Sequence, residues 1–368
     1  MKKLFFILVP VCAVFLLALD QPRNDQSKND QPRTDQTKTD QPKIDQPRIG
    51  PMPKAVSGNA VASLKGGLEL YSVMGIEEKK TWDAISNQMY ILHVPSGKWR
   101  VGPPVPGVAG RLGASAIGAR GQVFVFGGYT VDGRGEETIL PDVNSFVVSE
   151  KRWFRADDIP TPVEGAVIGA AQNRYVYLVG GRAKNGPVNN VQVYDAEKNT
   201  WSQATPFPGA PVFGHAGSLA DETIVYVDGA KKNPAAGSPY IASDECWMGK
   251  IDHKDPNKIA WSKLPPHPGT GRFGIVSGAV PHRILFSGGT TKGHLYTGLD
   301  YDGKPVQLAT MTFAYELRSN QWQTITEKTF DVRADTGAIL WTPVGGMVLG
   351  GMREDGTFSP RIVVVVGK

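Results

Sequence analysis

The sequence has few of the residues that mark several common classes of protein. Only two of its 368 residues are cysteines, Cys12 and Cys246, so removal of the N-terminal segment would leave no partner for an internal disulfide. It has no Asn-x-Ser/Thr acceptor, which favours a bacterial envelope over a glycosylating secretory route. The net charge is only +5, and no basic run carries interleaved aromatic residues, so nucleic acid is not an expected partner.

Spacings typical of metal ligands are also missing. The six histidines are scattered along the chain, at His93, His215, His253, His267, His282 and His294. No two of these positions stand at an interval typical of zinc ligands. The segment from Asp244 to Cys246 is interpreted as a loop with a lone thiol. We therefore expect no metal and no other cofactor.

The N-terminus differs from the rest of the chain. Two lysines are followed by an apolar run from Leu4 to Leu19, which is typical of a secretory signal peptide or a signal-anchor helix over residues 1–19. Cys12 lies deep inside this run, so lipidation is not expected. The sequence predicts export to a bacterial periplasm or cell envelope, and residues 4–19 could serve as a membrane tether if they are not cleaved.

Residues 20–50 contain six pentads of the form DQx[KR]x or a close variant, from DQPRN to DQPRI. These pentads have almost no apolar surface, so burial cannot offset the entropy of folding, and we expect a disordered spacer. Two interpretations stay open for it. The spacer is either a stalk that holds the next domain away from a membrane or a tail left by signal cleavage.

The rest of the chain repeats one pattern of strands and glycines. Apolar strand-like words end at a glycine six times, at Gly75, Gly128, Gly181, Gly229, Gly289 and Gly351. A tryptophan follows five of these words, at Trp99, Trp153, Trp201, Trp261 and Trp322. Each tryptophan opens another short strand, after which come a proline-bearing link and a strand of small residues. Each unit therefore contains four predicted strands.

This set of features resembles the Kelch repeat. The resemblance implies an all-β fold: a monomeric six-bladed Kelch-type β-propeller over residues 51–368, preceded by the signal or anchor helix and the spacer. The sixth unit ends at RIVVVVGK, with no tryptophan and no fourth strand. We therefore expect Pro51 to Val56 to supply the outer strand of the last blade, paired with Arg361 to Val366, so that the N-terminal strand closes the ring.

Alignment of the units on their glycines predicts a ring of polar side chains. In each unit, a polar residue occupies the position sixteen residues before the first glycine of the pair, or the position nearest to it. These residues are Asn59, Arg111, Glu164, His215, Arg272 and Arg333. In Kelch folds this register opens the innermost strand beside the central channel. Three guanidinium groups there suit a carboxylate or phosphate, so an anionic small molecule or a protein carboxylate is the expected ligand. The alternative is that these arginines pair with Glu164 or with backbone carbonyls and only stabilise the fold.

A second layer of candidate ligand-binding residues follows the glycines directly. It consists of Tyr129, Arg182, Thr290 and Arg353. These residues belong to loops between second and third strands, where specificity usually varies.

Two functions remain open at this stage. The first is a binding protein that performs no chemistry. The second follows from a resemblance to the bacterial N-acetylneuraminate epimerase family of exported Kelch mutarotases, which implies that Glu164 and His215 act as acid and base while arginines hold the substrate carboxylate. A copper-dependent galactose oxidase is excluded, because no Tyr-His pair occurs and Cys246 stands beside Trp247.

Overall fold

The computed structural model describes residues 48–107, 109–235, 237–293, 303–326 and 337–360, and the backbone of one further strand, Val363–Val365. The expected signal segment and nearly all of the expected spacer lie outside these residues. The helical elements in the described part are three short 3-10 turns, Lys65–Gly67, Trp82–Ala84 and Val94–Ser96, and no α-helix is present there. Within the same residues, no helix has the length and apolar character needed to cross a membrane.

The described residues form an all-β propeller with five blades, each a sheet of four antiparallel strands. Blade one contains Ala60–Leu64, Glu69–Val73, Met89–His93 and Lys98–Gly102, and blade two contains Ser115–Ala119, Gln122–Phe126, Val143–Val147 and Arg152–Ala156. Blade three contains Val167–Ala171, Tyr175–Val179, Val191–Asp195 and Thr200–Ala204, and blade four contains Ala216–Ala220, Thr223–Val227, Cys246–Ile251 and Ile259–Lys263. Blade five contains Phe273–Val280, Arg283–Thr290, Thr312–Glu316 and Gln321–Thr326.

The expectation of six four-stranded blades is therefore wrong. After blade five, the described residues form a three-stranded sheet of Leu340–Thr342, Gly345–Val348 and Val363–Val365. Its residues pack against both neighbours: Leu340 belongs to an apolar cluster with Leu70 of blade one, and Ile339 belongs to one with Leu285 of blade five. The apolar strand-like segment that ends at Gly351 therefore indicates strand pairing, but it does not indicate a complete fourth strand.

The predicted pairing of the N-terminal strand is also wrong. The strand Val56–Ser57 pairs with Ile76–Glu77, next to blade one, and does not pair with Val363–Val365. The N-terminal segment contacts the C-terminal one through a different bond, in which the Met52 N–H donates to the Pro360 carbonyl at 2.8 Å. Sequence order showed that the two ends of the repeat region are neighbours, but it did not show which backbone groups meet.

Short hairpins extend from the blades where second strands lead to third strands. They are Tyr129–Val131 with Glu137–Ile139, Arg182–Ala183 with Gly186–Pro187, and Ala230–Lys232 with Tyr240–Ala242. Because these connections leave equivalent strand ends in successive blades, they lie on the same face of the propeller.

The second strand of each blade is covered on both faces by neighbouring blades. In blade two, Val123, Phe124, Val125 and Phe126 are each at most 2% exposed. Burial on both faces explains why these strands are continuous apolar runs and do not alternate with polar residues. Each such side chain contributes about 1.5–3 kcal/mol when it is fully buried, so the stacking of blades supplies most of the stability.

The five repeated tryptophans tie each blade to the link that precedes it. Each indole N–H donates to a backbone carbonyl, in the pairs Trp99 to Gly50, Trp153 to Pro103, Trp201 to Asp157, Trp261 to Thr205 and Trp322 to Pro265, at 2.8–3.0 Å. The tryptophan of the repeat therefore fixes the angle at which the chain enters each blade.

Candidate functional site

A cavity of about 390 Å³ lies where the inner strands of the blades meet. Alanines and glycines of these strands line much of its wall, among them Ala114, Ala116, Ala166 and Ala216. Larger side chains do not fit where several inner strands approach one axis. Cavities of about 300–1,000 Å³ are the usual size for small-molecule sites, so this one can hold a ligand of the size of a sugar.

Glycines in the left-handed conformation precede the inner strands and join neighbouring blades. Gly113, Gly165 and Gly214 have φ angles of 60°, 58° and 57°. The Gly165 N–H donates to the Gly113 carbonyl at 2.9 Å, and the Gly214 N–H donates to the Gly165 carbonyl at 2.9 Å. This chain of backbone bonds fixes the residue before each glycine. Those residues are Leu112, Glu164 and Phe213, and all three line the cavity.

Three charged side chains line the cavity among the described residues, and they form one chain of ion pairs. Arg182 Nε donates to Glu164 Oε1 at 2.6 Å, and Arg182 Nη2 donates to Glu137 Oε2 at 2.6 Å. The exposed fraction of the side chain falls from 32% for Glu137 through 20% for Arg182 to 8% for Glu164. Burial alone would lower the pKa of Arg182, but the two carboxylates raise it above its ordinary value. Arg182 is therefore a permanent cation with an inner and an outer carboxylate partner.

Aromatic rings surround this cation. The Arg182 guanidinium carbon lies 5.4 Å from the centre of the Tyr129 ring and 5.6 Å from that of Phe213. Phe213 also packs edge-on against Tyr240 at a centroid distance of 4.8 Å. Cation–π contacts on two rings hold the guanidinium plane in place. The same rings offer apolar faces to a ligand, as do Phe273 and Phe358, which also line the cavity.

Two of the arginines that the sequence placed at the channel lie inside the blades. Arg111 is 1% exposed and donates to the carbonyls of Gly127 and Asp142 and to Asn144 Oδ1, at 2.7–3.0 Å. Burial lowers the pKa of Arg111 to about 10, so it is still a cation at neutral pH.

Arg272 is equally enclosed, at 2% exposure. Its Nη1 donates to the Gly288 carbonyl at 2.8 Å, and its guanidinium carbon lies 5.3 Å from the Phe313 ring centre. Neither Arg111 nor Arg272 lines the cavity. These two arginines do not converge on the cavity, because they bind backbone carbonyls of their own blades.

A difference in hairpin length explains why Glu164 faces the cavity and these arginines do not. In blade two, Ala119 pairs with Gln122, whereas in blade three Ala171 pairs with Tyr175, so the loop of blade three is one residue longer. A count back from the first glycine of the pair therefore reaches Arg111 in blade two. In blade three the same count reaches a residue one position further along the chain relative to the inner strand. A shift of one residue along a strand turns the side chain to the opposite face.

Asn59 and His215 each directly follow a glycine that precedes an inner strand, and both border the cavity. Asn59 Nδ2 donates to Ser72 Oγ at 2.9 Å and to the Leu349 carbonyl at 3.1 Å. His215 is 6% exposed and packs against Tyr226. Burial lowers the pKa of His215 to about 3, against the opposing effect of a backbone contact with Val179. His215 is therefore neutral at physiological pH and is a poor source of a proton.

The remaining sequence-predicted residues lie elsewhere. Arg333 is outside the described residues, and Arg353 is half-buried in a turn where its N–H donates to the Thr357 carbonyl. Arg353 does not line the cavity, whereas Tyr129 and Arg182 of the same predicted layer do. Both predicted sets therefore contribute to the cavity: Asn59, Glu164 and His215 come from the ring, and Tyr129 and Arg182 come from the loops after the glycines.

Sequence reasoning missed Glu137 and the aromatic residues of the cavity other than Tyr129. Glu137 lies in the segment GRGEETIL, where it is one of two carboxylates and nothing in its spacing distinguishes it. Phe213 and Phe273 could have been found, because each directly precedes a glycine that opens an inner strand, as Glu164 does.

A second cluster of chemically active side chains lies in the wall of blades four and five. Asp228, Cys246 and His267 bring an oxygen, a sulfur and a nitrogen atom within 4.8 Å of one another. Burial raises the pKa of the Asp228 carboxyl and raises that of the Cys246 thiol to about 12. Nothing in the sequence spacing indicates this cluster, because its members are separated by loops of unequal length.

Comparisons with known proteins agree with this architecture. A family model described as the KLHDC2/KLHL20/DRC7 Kelch-repeats domain matches residues 58–289. N-acetylneuraminate epimerase 1 of Escherichia coli O6:H1 is 24% identical over 332 residues, which cover 78% of this chain and 86% of that protein. Kelch-like protein 34 of Homo sapiens is 29% identical over 211 residues, or 54% of this chain and 31% of that protein. The solved structure of YjhT superposes with a TM-score of 0.71 at 17% identity, covering 87% of this chain and 97% of that one, which shows a shared fold.

Proposed function

Because the chain belongs to the KLHDC2/KLHL20/DRC7 Kelch-repeats domain family, we propose that its function resides in the cavity that the blades surround, where it binds a sugar acid. The observation that carries this proposal is the position of Arg182. Its guanidinium lies between two aromatic rings, and a buried and a partly exposed carboxylate hold it on either side. A planar donor fork held in this way is suited to a carboxylate of a ligand.

Glu137 occupies the place that a ligand carboxylate would take. It lies on the hairpin Glu137–Ile139 and is the more exposed of the two partners of Arg182. Because an ion pair contributes less as its partners become more exposed, a ligand displaces Glu137 at a lower cost than it would displace Glu164. Glu164 is nearly buried and stays in place, which keeps the guanidinium oriented when its outer partner changes.

The aromatic rings supply the second part of recognition. Sugar rings have apolar C–H faces, and Tyr129, Phe213 and Tyr240 present flat surfaces of matching character beside Arg182. Small inner-strand residues leave the room that a ring with substituents needs. A sugar acid therefore offers a carboxylate to Arg182, in place of Glu137, and a ring to the aromatic side chains.

Epimerisation of a sugar acid is a second candidate function. It is favoured by the relative named N-acetylneuraminate epimerase, 86% of whose length this chain covers. Glu164 then serves as the proton acceptor, because it is a carboxylate that lines the cavity. His215 does not supply the matching acid, because burial keeps it neutral. A ligand hydroxyl, water or Tyr129 would have to carry the second proton.

Titration calorimetry with N-acetylneuraminate tests binding. Arg182→Met should abolish measurable heat of binding, and Arg182→Lys should weaken binding at least about tenfold, since a lysine loses the fork. The matched control is Arg174→Met. Arg174 also binds a carboxylate with two nitrogens, at 2.9 and 2.6 Å from Asp195, but it lies away from the cavity. Equal affinities for Arg182→Met and the control would overturn the proposal.

Anomer exchange, followed by NMR on N-acetylneuraminate, separates the two candidates. Acceleration by the wild type and its loss in Glu164→Gln, with binding retained, would establish epimerisation. Binding without acceleration leaves a binding protein.

Export belongs to the same proposal. We base it on the apolar run from Leu4 to Leu19 and on the pentad spacer that follows it. Protease added to intact spheroplasts should degrade an exported propeller or its spacer, and full protection would contradict export.

A further inference from the structure

We propose that Asp228, Cys246 and His267 form a binding site for one Zn²⁺ ion, separate from the central cavity. Asp228 stands at the bend after the second strand of blade four, in the place where blades two, three and five have the first glycine of a pair. Cys246 begins the third strand of that blade, and His267 lies in the link to blade five. Three separate segments thus bring one ligand atom each to a common point.

The histidine is oriented as metal-binding histidines are. His267 Nδ1 donates to the Pro268 carbonyl at 2.7 Å, which leaves Nε2 facing the Asp228 carboxylate, 2.9 Å from each of its oxygens. A ligand histidine in proteins usually donates its second N–H to a backbone carbonyl or carboxylate, and this bond sets the tautomer. The imidazole also stacks on Phe313 at a centroid distance of 4.4 Å and an interplanar angle of 5°, so the ring cannot easily turn.

The carboxylate is held in the same manner. The Arg272 N–H donates to Asp228 Oδ2 at 3.0 Å, so this oxygen has a second partner besides the imidazole. Asp228 is fully buried, and its backbone is in the left-handed conformation, with a φ angle of 63°. Such outer contacts to both the aspartate and the histidine are the arrangement that tunes metal ligands in known sites.

The ligand set suits zinc among the common ions. Zinc accepts thiolate, imidazole and carboxylate ligands together, at about 2.3, 2.0 and 2.1 Å. Ligand atoms around a tetrahedral zinc are then about 3.3–3.7 Å apart. Spacings of up to 4.8 Å in the cluster would contract by about 1 Å, and the 2.9 Å between His267 Nε2 and the Asp228 carboxylate would widen by about 0.4 Å. Magnesium and calcium prefer oxygen ligands alone, and the thiol excludes them.

Charge supports the same assignment. A thiolate and a carboxylate together balance the two positive charges of the ion, so the occupied site is neutral in a buried setting. The neighbouring cation, Arg272, directs Nη1 to the Gly288 carbonyl and stacks over Phe313. Without a cation, the alternative is an imidazolium–carboxylate pair between His267 and Asp228, with Cys246 as an uninvolved thiol.

Metal content decides between these two arrangements. The full-length protein, purified from zinc-supplemented culture or refolded with zinc and dialysed, should retain one zinc ion per chain by elemental analysis. Cys246→Ser should retain less than about a fifth of that amount. His253→Gln is the matched control, because His253 is an exposed histidine bonded to a carboxylate, Glu222, and it should bind as the wild type does.

Cobalt gives a readout that folding defects cannot imitate. Co²⁺ added to the metal-free wild type should produce a thiolate-to-cobalt charge-transfer band in the near ultraviolet, and Cys246→Ser should lack it while its circular dichroism stays native. His267→Gln should weaken Co²⁺ binding as well. The proposal is overturned if the folded wild type holds no zinc after both preparations, or if Cys246→Ser retains the full amount and the band.

Discussion

Gly113 lies directly against the carboxylate of Glu164: a Cβ atom at Gly113 would stand 2.6 Å from Glu164 Oε2. Gly113 also has a φ angle of 60°, in the left-handed region that glycine adopts most easily. The glycine that opens the inner strand of blade two therefore makes room for the acidic side chain of blade three. One backbone position thus controls both the contact between blades and the position of the carboxylate that orients Arg182.

Gly113→Ala should accordingly destabilise the fold and move Glu164. We expect a loss of about 2 kcal/mol or more, because the substitution adds a clash to the strain of a positive φ. Gly121→Ala is the matched control, since Gly121 has a φ of 74° but nothing within 4 Å of its Cβ position. Denaturant unfolding of both variants measures the difference. Equal destabilisation would show that strain alone acts and that the contact with Glu164 contributes nothing.

Arg111→Met should lower stability by about 3 kcal/mol without changing affinity for a cavity ligand. The substitution removes the Arg111 donors of the buried Gly127 carbonyl and of Asn144 Oδ1, and each unpaired buried group costs about 1–3 kcal/mol. Arg152→Met removes an exposed arginine of the same blade and should change stability by less than about 0.5 kcal/mol. Urea unfolding and calorimetry on the two variants separate stability from binding. A stable Arg111→Met with lost affinity would return Arg111 to the ligand site.

His215 should make the folded state less stable in acid. Its pKa is about 3 in the folded protein and about 6.5 in an unfolded chain, so below pH 6.5 only the unfolded state takes up the proton. Its contribution is full above pH 6.5 and is lost progressively as pH falls towards 3, with a slope of up to about 1.4 kcal/mol per pH unit. His215→Gln should flatten this part of the stability curve. The exposed His93→Gln is the control and should keep the wild-type curve; an unchanged slope in His215→Gln would mean that His215 is protonated in the fold.

Glu137→Gln should strengthen ligand binding about three- to tenfold, which corresponds to about 0.7–1.4 kcal/mol. The amide keeps the shape of the side chain but no longer competes as an anion for Arg182. Glu136→Gln is the matched control, because it removes a carboxylate from the neighbouring position, which does not line the cavity. Calorimetric titration with N-acetylneuraminate measures both. Weaker binding in Glu137→Gln alone would indicate that Glu137 contacts the ligand itself.

Much of the fold could be predicted from the sequence, because the residues that define the repeat determine the structure close to their own positions in the chain. The glycine words mark strand ends, and the tryptophans mark fourth strands whose indoles bond the preceding links. The number of blades and the pairing of the N-terminal strand could not be predicted. They depend on which backbone groups meet across the ends of the chain, as Val56 does with Glu77, and no residue type records that choice.

The candidate site could be predicted only in part, for a geometric reason. Arg182 and Tyr129 were found because they directly follow the glycines, where no loop intervenes. Arg111 was assigned to the channel by counting across a hairpin, and a loop of different length in blade three broke the register. Asp228 and His267 were missed because they approach through the stacking of blade four on the link to blade five, which has no signature in sequence spacing.

A crystal structure of the protein soaked with N-acetylneuraminate tests the central claim most directly, because it shows which atoms the ligand contacts. We expect the ligand carboxylate within hydrogen-bond distance of Arg182 Nη2, with Glu137 turned outwards, Glu164 in place and the sugar ring against Tyr129 or Phe213. Ligand bound away from Arg182, or an unchanged Arg182–Glu137 contact at saturating ligand, would contradict the account.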